Sequence, residues 1–116
     1  MESKDSQLEF YDSITKYSNK RAQALPEVTA AQHALRDAVY KDGALSHKMK
    51  RLIAMAIAVS LGCRPCITGQ TKMAVEAGAT REEVLEAASV VLAMHGTSGY
   101  SESWRVVKIL EELGKI

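Results

Sequence analysis

Apolar residues recur along this chain at helical spacing, and no run alternates apolar with polar β-branched residues for long enough to predict a strand. Leu8 to about Ala24 reads as a first helix, with Phe10, Ile14 and Tyr17 spaced to share one buried face. Pro26 ends it and stands near the start of a second helix that runs to about Tyr40. Asp42-Gly43 predicts a turn, and Ser46 is placed to cap a third helix over Lys48 to Leu61. Leu52, Ile53, Met55, Ala56 and Val59 cover most of that helix's circumference, which predicts a central position. Gly62 stops it, and Pro65 suits the first turn of a fourth helix reaching Ala77, with Gly78 at its end. Thr80-Arg81-Glu82-Glu83 is a capping box that opens a fifth helix through about Met94. Gly96-Thr97-Ser98-Gly99 reads as a turn or as a small-residue stretch allowing close helix contact, and a sixth helix covers about Glu102 to Leu113. The expectation is an all-α fold of about six helices in one domain spanning residues 1–116.

Composition narrows the partners. A chain of 116 residues can bury a core yet is small enough to gain from self-association, and its third helix carries more apolar surface than one small domain covers. A formal net charge of +1 argues against nucleic acid or an anionic membrane as partner, and 5% aromatics argue against base stacking. The charge-free run Leu52 to Cys63 is too short to span a bilayer. Met1-Glu2-Ser3-Lys4-Asp5 is polar and lacks the apolar run of a signal peptide, so the cytoplasm is the expected location.

Both cysteines of the chain stand in Cys63-Arg64-Pro65-Cys66. A disulfide acting as a structural staple gains most by closing a long loop, and this pair closes almost none. The spacing therefore favours redox chemistry or a soft metal over stapling. The thiolate is the reactive form, so a working pair needs a nearby positive field. Cys66 falls in the first turn of the fourth helix, where free N–H groups and the macrodipole favour an anion, and Arg64 adds a cation between the two sulfurs. A metal needs more ligands than two cysteines; His95, or the same pair from a symmetry mate, are the available sources. No cofactor is expected.

The stretch Leu52-Ile53-Ala54-Met55-Ala56-Ile57-Ala58-Val59-Ser60-Leu61-Gly62-Cys63-Arg64-Pro65-Cys66-Ile67 resembles the core of the carboxymuconolactone decarboxylase family, and specifically its alkylhydroperoxidase-D-like branch. The resemblance continues through Ala74 to Val84 and Ala87-Ala88, and covers roughly Leu45 to the C-terminus. It implies an all-helical fold built around a helical hairpin, assembled into trimers or hexamers, with a cysteine pair that reduces peroxides or disulfides. That branch carries a relay Glu and a relay His, whose positions here hold Arg51 and Gln70. Cys63 and Cys66 are the residues that carry over. An amide neither takes up nor gives a proton near neutral pH, so Gln70 can orient a thiol or water but cannot act as a base. Arg51 can stabilise a thiolate without accepting its proton, provided a folded-back hairpin or a neighbouring subunit brings it to the sulfurs.

Of the three histidines, His95 is the best replacement base, because the helix before it should lie on the Cys63–Cys66 hairpin. His47 is expected to be solvated at the far end of the third helix, and His33 stands among alanines on the second. Tyr100, Trp104, Met49, Met55, Met73 and Met94 read as core or interface residues. The candidate set is therefore Cys63, Cys66, Arg51, Gln70 and His95. The expected activity is thiol–disulfide exchange, or thiol-dependent peroxide reduction fed by a thiol donor. Cys66 is favoured as the attacking thiol. The alternatives are cofactor-free decarboxylation of a lactone acid and a non-enzymatic oligomeric or metal-binding helical module. Disulfide exchange should outpace peroxide reduction, because neither Arg51 nor Gln70 readily protonates a leaving oxygen.

Overall fold

The computed structural model describes residues 6–116. Six helices follow one another: α1 (Gln7–Ala24), α2 (Pro26–Tyr40), α3 (His47–Leu61), α4 (Arg64–Glu76), α5 (Arg81–Tyr100) and α6 (Trp104–Glu112). No strand occurs among the described residues, so the all-α expectation holds. The caps act as the sequence predicts. Ser46 Oγ accepts from the Met49 N–H, and Thr80 and Glu83 close a reciprocal capping box at the start of α5. In that box the Glu83 carboxyl is held below the usual carboxylate range, chiefly by the Thr80 N–H and then by Lys48.

α3 is the central element, lying along α4 on one side and α5 on the other, while α6 and α1 cover the outer side of α4. Leu52, Met55, Ala58 and Val59 of α3 meet Ile67 and Ala74 of α4, Val84, Ala88 and Val91 of α5, and Val106, Ile109 and Leu110 of α6. Part of α3's apolar surface lies outside this core: Ile53, Ile57 and Leu61 are all exposed on the single chain. α2 buries no residue, and its Val28, Leu35 and Val39 are also exposed.

One expectation needs correction. Phe10 and Ile14 of α1 are only half-buried and Tyr17 is 64% exposed, so they do not form a buried face. The buried residue of α1 is instead polar Gln7, whose Oε1 accepts from Arg64 of α4 and Arg105 of α6. Burying an amide is tolerated because those two cations satisfy it. The first helical run of α5 ends near Met94 as expected: Gly96, with φ of 75° and ψ of −170°, takes the chain out of helical geometry, and a short second helical piece carries α5 on to Tyr100.

α1 is anchored through its N-terminus. The Glu112 carboxylate accepts from Ser6 Oγ and from the backbone N–H groups of Gln7 and Leu8, which have no partner within the helix. Burial acts to raise the Glu112 carboxyl, but the bonds from Ser6, Gln7 and Leu8 outweigh it, and Lys108 adds to them. Its folded-state value is thus below the unfolded one. The stabilisation is full above the ordinary glutamate range near about 4.3 and is lost as pH falls through the depressed value. Glu112→Ala is expected to lower stability at neutral pH by about 1–2 kcal/mol, and the deficit should shrink progressively in acid. Urea unfolding of both proteins across that pH range measures it.

Candidate functional site

The turn between α3 and α4 sets the cysteine geometry. Gly62 adopts a left-handed φ of 66°, which a residue without Cβ does without strain. The Gly62 N–H donates to the Val59 carbonyl and the Cys63 N–H to the Ala58 carbonyl, the two bonds of a Schellman ending. Cys63 is thereby fixed as the last residue of one helix ending and the N-cap of the next. Pro65 occupies the first turn of α4, where a missing N–H leaves no bond unmade. Cys66 follows in the same turn, and its Cα lies 5.2 Å from that of Cys63, with the two joined as a disulfide. Cys66 is exposed and Cys63 half-buried. The α4 N-terminus has no side-chain cap, and Cys63 and Cys66 both lie at this positive end of the helix.

Arg64 does not stand free between the sulfurs as expected. Its guanidinium lies 3.8 Å over the Phe10 ring and its Nε donates to Gln7 Oε1, so α1 engages the head group. The α3–α4 hairpin does fold Arg51 back against α4. Arg51 Nη1 donates to Gln70 Oε1 at 3.1 Å, and its guanidinium stacks 3.6 Å from the centre of the Tyr40 ring. Gln70 stands one helical turn after Cys66 on the same face of α4, with Cβ atoms roughly 6 Å apart at that spacing. His95 meets the other side of the hairpin, where its Nδ1 lies 2.7 Å from Ser60 Oγ in the last turn of α3.

His47 differs from expectation. It is half-buried, and its Nδ1–H donates to the Tyr40 carbonyl at 2.6 Å, which ties the α2–α3 turn together. His33 is exposed, as are Met49 and Met94, whereas Met55 is fully buried. Among the described residues no group of three or more His, Cys, Asp or Glu is gathered to hold a metal ion, and no helix is long and apolar enough to cross a membrane.

Gly99 explains the glycine-rich stretch. A Cβ there would come within 2.1 Å of His95 Cγ and 2.5 Å of its Cβ, so the ring lies where only glycine permits. Gly99→Ala is expected to displace the His95–Ser60 pair and to destabilise by about 1–3 kcal/mol. The His95 ring signals, followed by NMR in the variant, report the first effect and urea unfolding the second.

Against known proteins, the sequence model of the carboxymuconolactone decarboxylase family matches residues 26–108. The chain belongs to this family. An uncharacterised protein from the cox locus of Paracoccus denitrificans is 35% identical over 81% of this chain and 91% of its own length. A carboxymuconolactone decarboxylase family protein from Legionella pneumophila superimposes with a TM-score of 0.80 at 34% identity, covering 92% of this chain and 93% of that one. A family protein from Thermotoga maritima, for which a part in an antioxidative response has been suggested, gives a TM-score of 0.77 at 29% identity over 89% and 88% of the two chains.

Sequence reasoning missed Tyr40, Ser60 and Gln7. Each contacts its site partner only through tertiary packing, across 11, 35 and 57 positions of the sequence respectively. No local pattern announces such pairs.

Proposed function

We propose that this carboxymuconolactone decarboxylase family chain is a thiol–disulfide oxidoreductase in which Cys63 and Cys66 cycle between dithiol and disulfide. The observation carrying this reading is the Cys63–Cys66 disulfide across the α3–α4 turn, with exposed Cys66 in the first turn of a helix that has no side-chain cap. In the reduced state the Cys66 thiolate attacks one sulfur of a substrate disulfide, forming a mixed disulfide and expelling the first thiolate. Cys63 then attacks Cys66 Sγ, releasing the second thiolate and closing the internal disulfide. Two electrons pass to the substrate, and the two protons of the dithiol end on its two thiols. An external dithiol of the same redox class restores the enzyme.

With a hydroperoxide, the same thiolate attack gives a sulfenic acid and an alcohol, and Cys63 resolves it with loss of water. Protonation of the leaving oxygen then falls to His95, Ser60 or solvent, because Arg51 and Gln70 do not give up protons near neutral pH. Disulfide reduction is therefore the faster of the two. The test is a thiol count before and after one equivalent of oxidised dithiol or peroxide. Absence of cysteine-dependent turnover of both sinks the reading.

The working form in this proposal is a homo-oligomer, a trimer or hexamer. Supporting it is an apolar groove between α3 and α5, lined by Met49, Ile53, Ile57 and Val90, beside an α2 whose Val28, Leu35 and Val39 face solvent in the single chain. The occupant in this reading is a second copy of the chain. Leu35→Asp is expected to convert the assembly to monomers, read by sedimentation, with helix content retained because Leu35 is exposed in the chain itself.

A further inference from the structure

Arg51 carries a positive charge that no carboxylate among the described residues balances. Among the described residues no carboxylate lies within ion-pair distance of it. It is half-buried, and its Nε is a buried donor that finds no acceptor. Partly desolvating a cation in this way is unfavourable unless an anion or a full set of acceptors compensates it. Yet the side chain has two partners, the Tyr40 ring beneath its guanidinium and Gln70 Oε1 at Nη1.

The remaining donors indicate what would compensate it. Gln70 spends its carbonyl on Arg51, since a guanidinium can only donate, and so its amide nitrogen is left as a donor. Neither that nitrogen nor Arg51 Nη2 donates to any described residue, and neither is a buried atom, so both are open to solvent. Two adjacent donors, one of them charged, match the two oxygens of a carboxylate. Gln70 stands one helical turn from Cys66 on α4, and Arg51 reaches it from α3. We infer that Arg51 and Gln70 form a carboxylate-binding site beside the cysteine pair, so that the disulfide substrates of this chain are acids.

The substrate class rests on the oxidoreductase reading, but the site itself is tested without turnover. The probe is dithiodipropionate, compared with its neutral diamide. In a Cys63→Ser, Cys66→Ser double variant, which cannot exchange, the Arg51 and Gln70 side-chain N–H signals should shift saturably with the acid and stay unmoved by the diamide. Adding Arg51→Gln should remove the response, and Arg51→Lys should keep part of it, since the charge survives without the fork. In the reduced wild type, kcat/KM for the acid should exceed that for the diamide by about tenfold, and Arg51→Gln should bring that ratio near one. No shift with the acid, or equal shifts with both compounds, overturns the site; this includes the case in which a carboxylate of a second copy already occupies it. Saturable binding without turnover of either compound upholds the site and overturns the oxidoreductase reading instead. Turnover of both at equal rates, with no shift, does the reverse.

Discussion

Cys66→Ser is expected to reduce disulfide turnover by about a thousandfold or more, the scale on which removal of a nucleophile acts. A serine hydroxyl is not ionised near neutral pH, so the helix N-terminus has no anion to stabilise there. Cys63→Ser should also stop turnover but at a different point: the mixed disulfide forms on Cys66 and then persists. Mass spectrometry of each reduced variant, exposed to one equivalent of a substrate disulfide, separates the two roles. A stable adduct on the Cys63→Ser protein and none on Cys66→Ser is the expected pair of results. The reverse pattern would make half-buried Cys63 the attacking thiol, with its N-cap position as the source of activation.

The second large effect concerns stability. Ile67 follows the cysteine motif directly and is fully buried, at 0% exposure, where the first turn of α4 meets α3. Ile67→Ala is expected to lower stability by about 3 kcal/mol, with a drop of roughly 10 °C in Tm, because both transfer energy and packing around the vacated volume are lost. Ile57 on α3 is the same residue type but 55% exposed in the single chain. Ile57→Ala should leave unfolding of the dissociated chain within about 0.5 kcal/mol of wild type. Any larger loss should appear only as a dependence on protein concentration, since it would come from the surface that a second copy covers. Thermal and urea unfolding at two widely separated concentrations distinguish these cases.

The contrast between those two isoleucines marks the limit of reading a sequence. Local rules carried the helices, because caps, prolines and the left-handed glycine act within a few residues: Ser46, Pro65, Gly62 and the Thr80–Glu83 box all stand where their chemistry predicts. The cysteine pair was legible for the same reason, since its geometry is set by one turn. Periodicity also showed α3 to be apolar nearly all round, but it could not say which side met its own chain. Packing against α4 and α5 buried Leu52, Met55, Ala58 and Val59 and left Ile53 and Ile57 outside.

α1 misled for a related reason. Its aromatic residues have helical spacing, yet they cover the rim, and Gln7 takes the interior because Arg64 and Arg105 converge on it from two other helices. By itself, then, the amino-acid sequence determined the all-helical architecture, the hairpin and the closely spaced cysteine pair at a helix start, all products of short-range backbone chemistry. Only the tertiary structure decided that Arg64 turns to α1, that His95 bonds Ser60, and that Arg51 lies between Tyr40 and Gln70 with no counter-charge among the described residues. Those contacts depend on how helices far apart in sequence cross, and a side chain's partner is set by that crossing rather than by its neighbours along the chain.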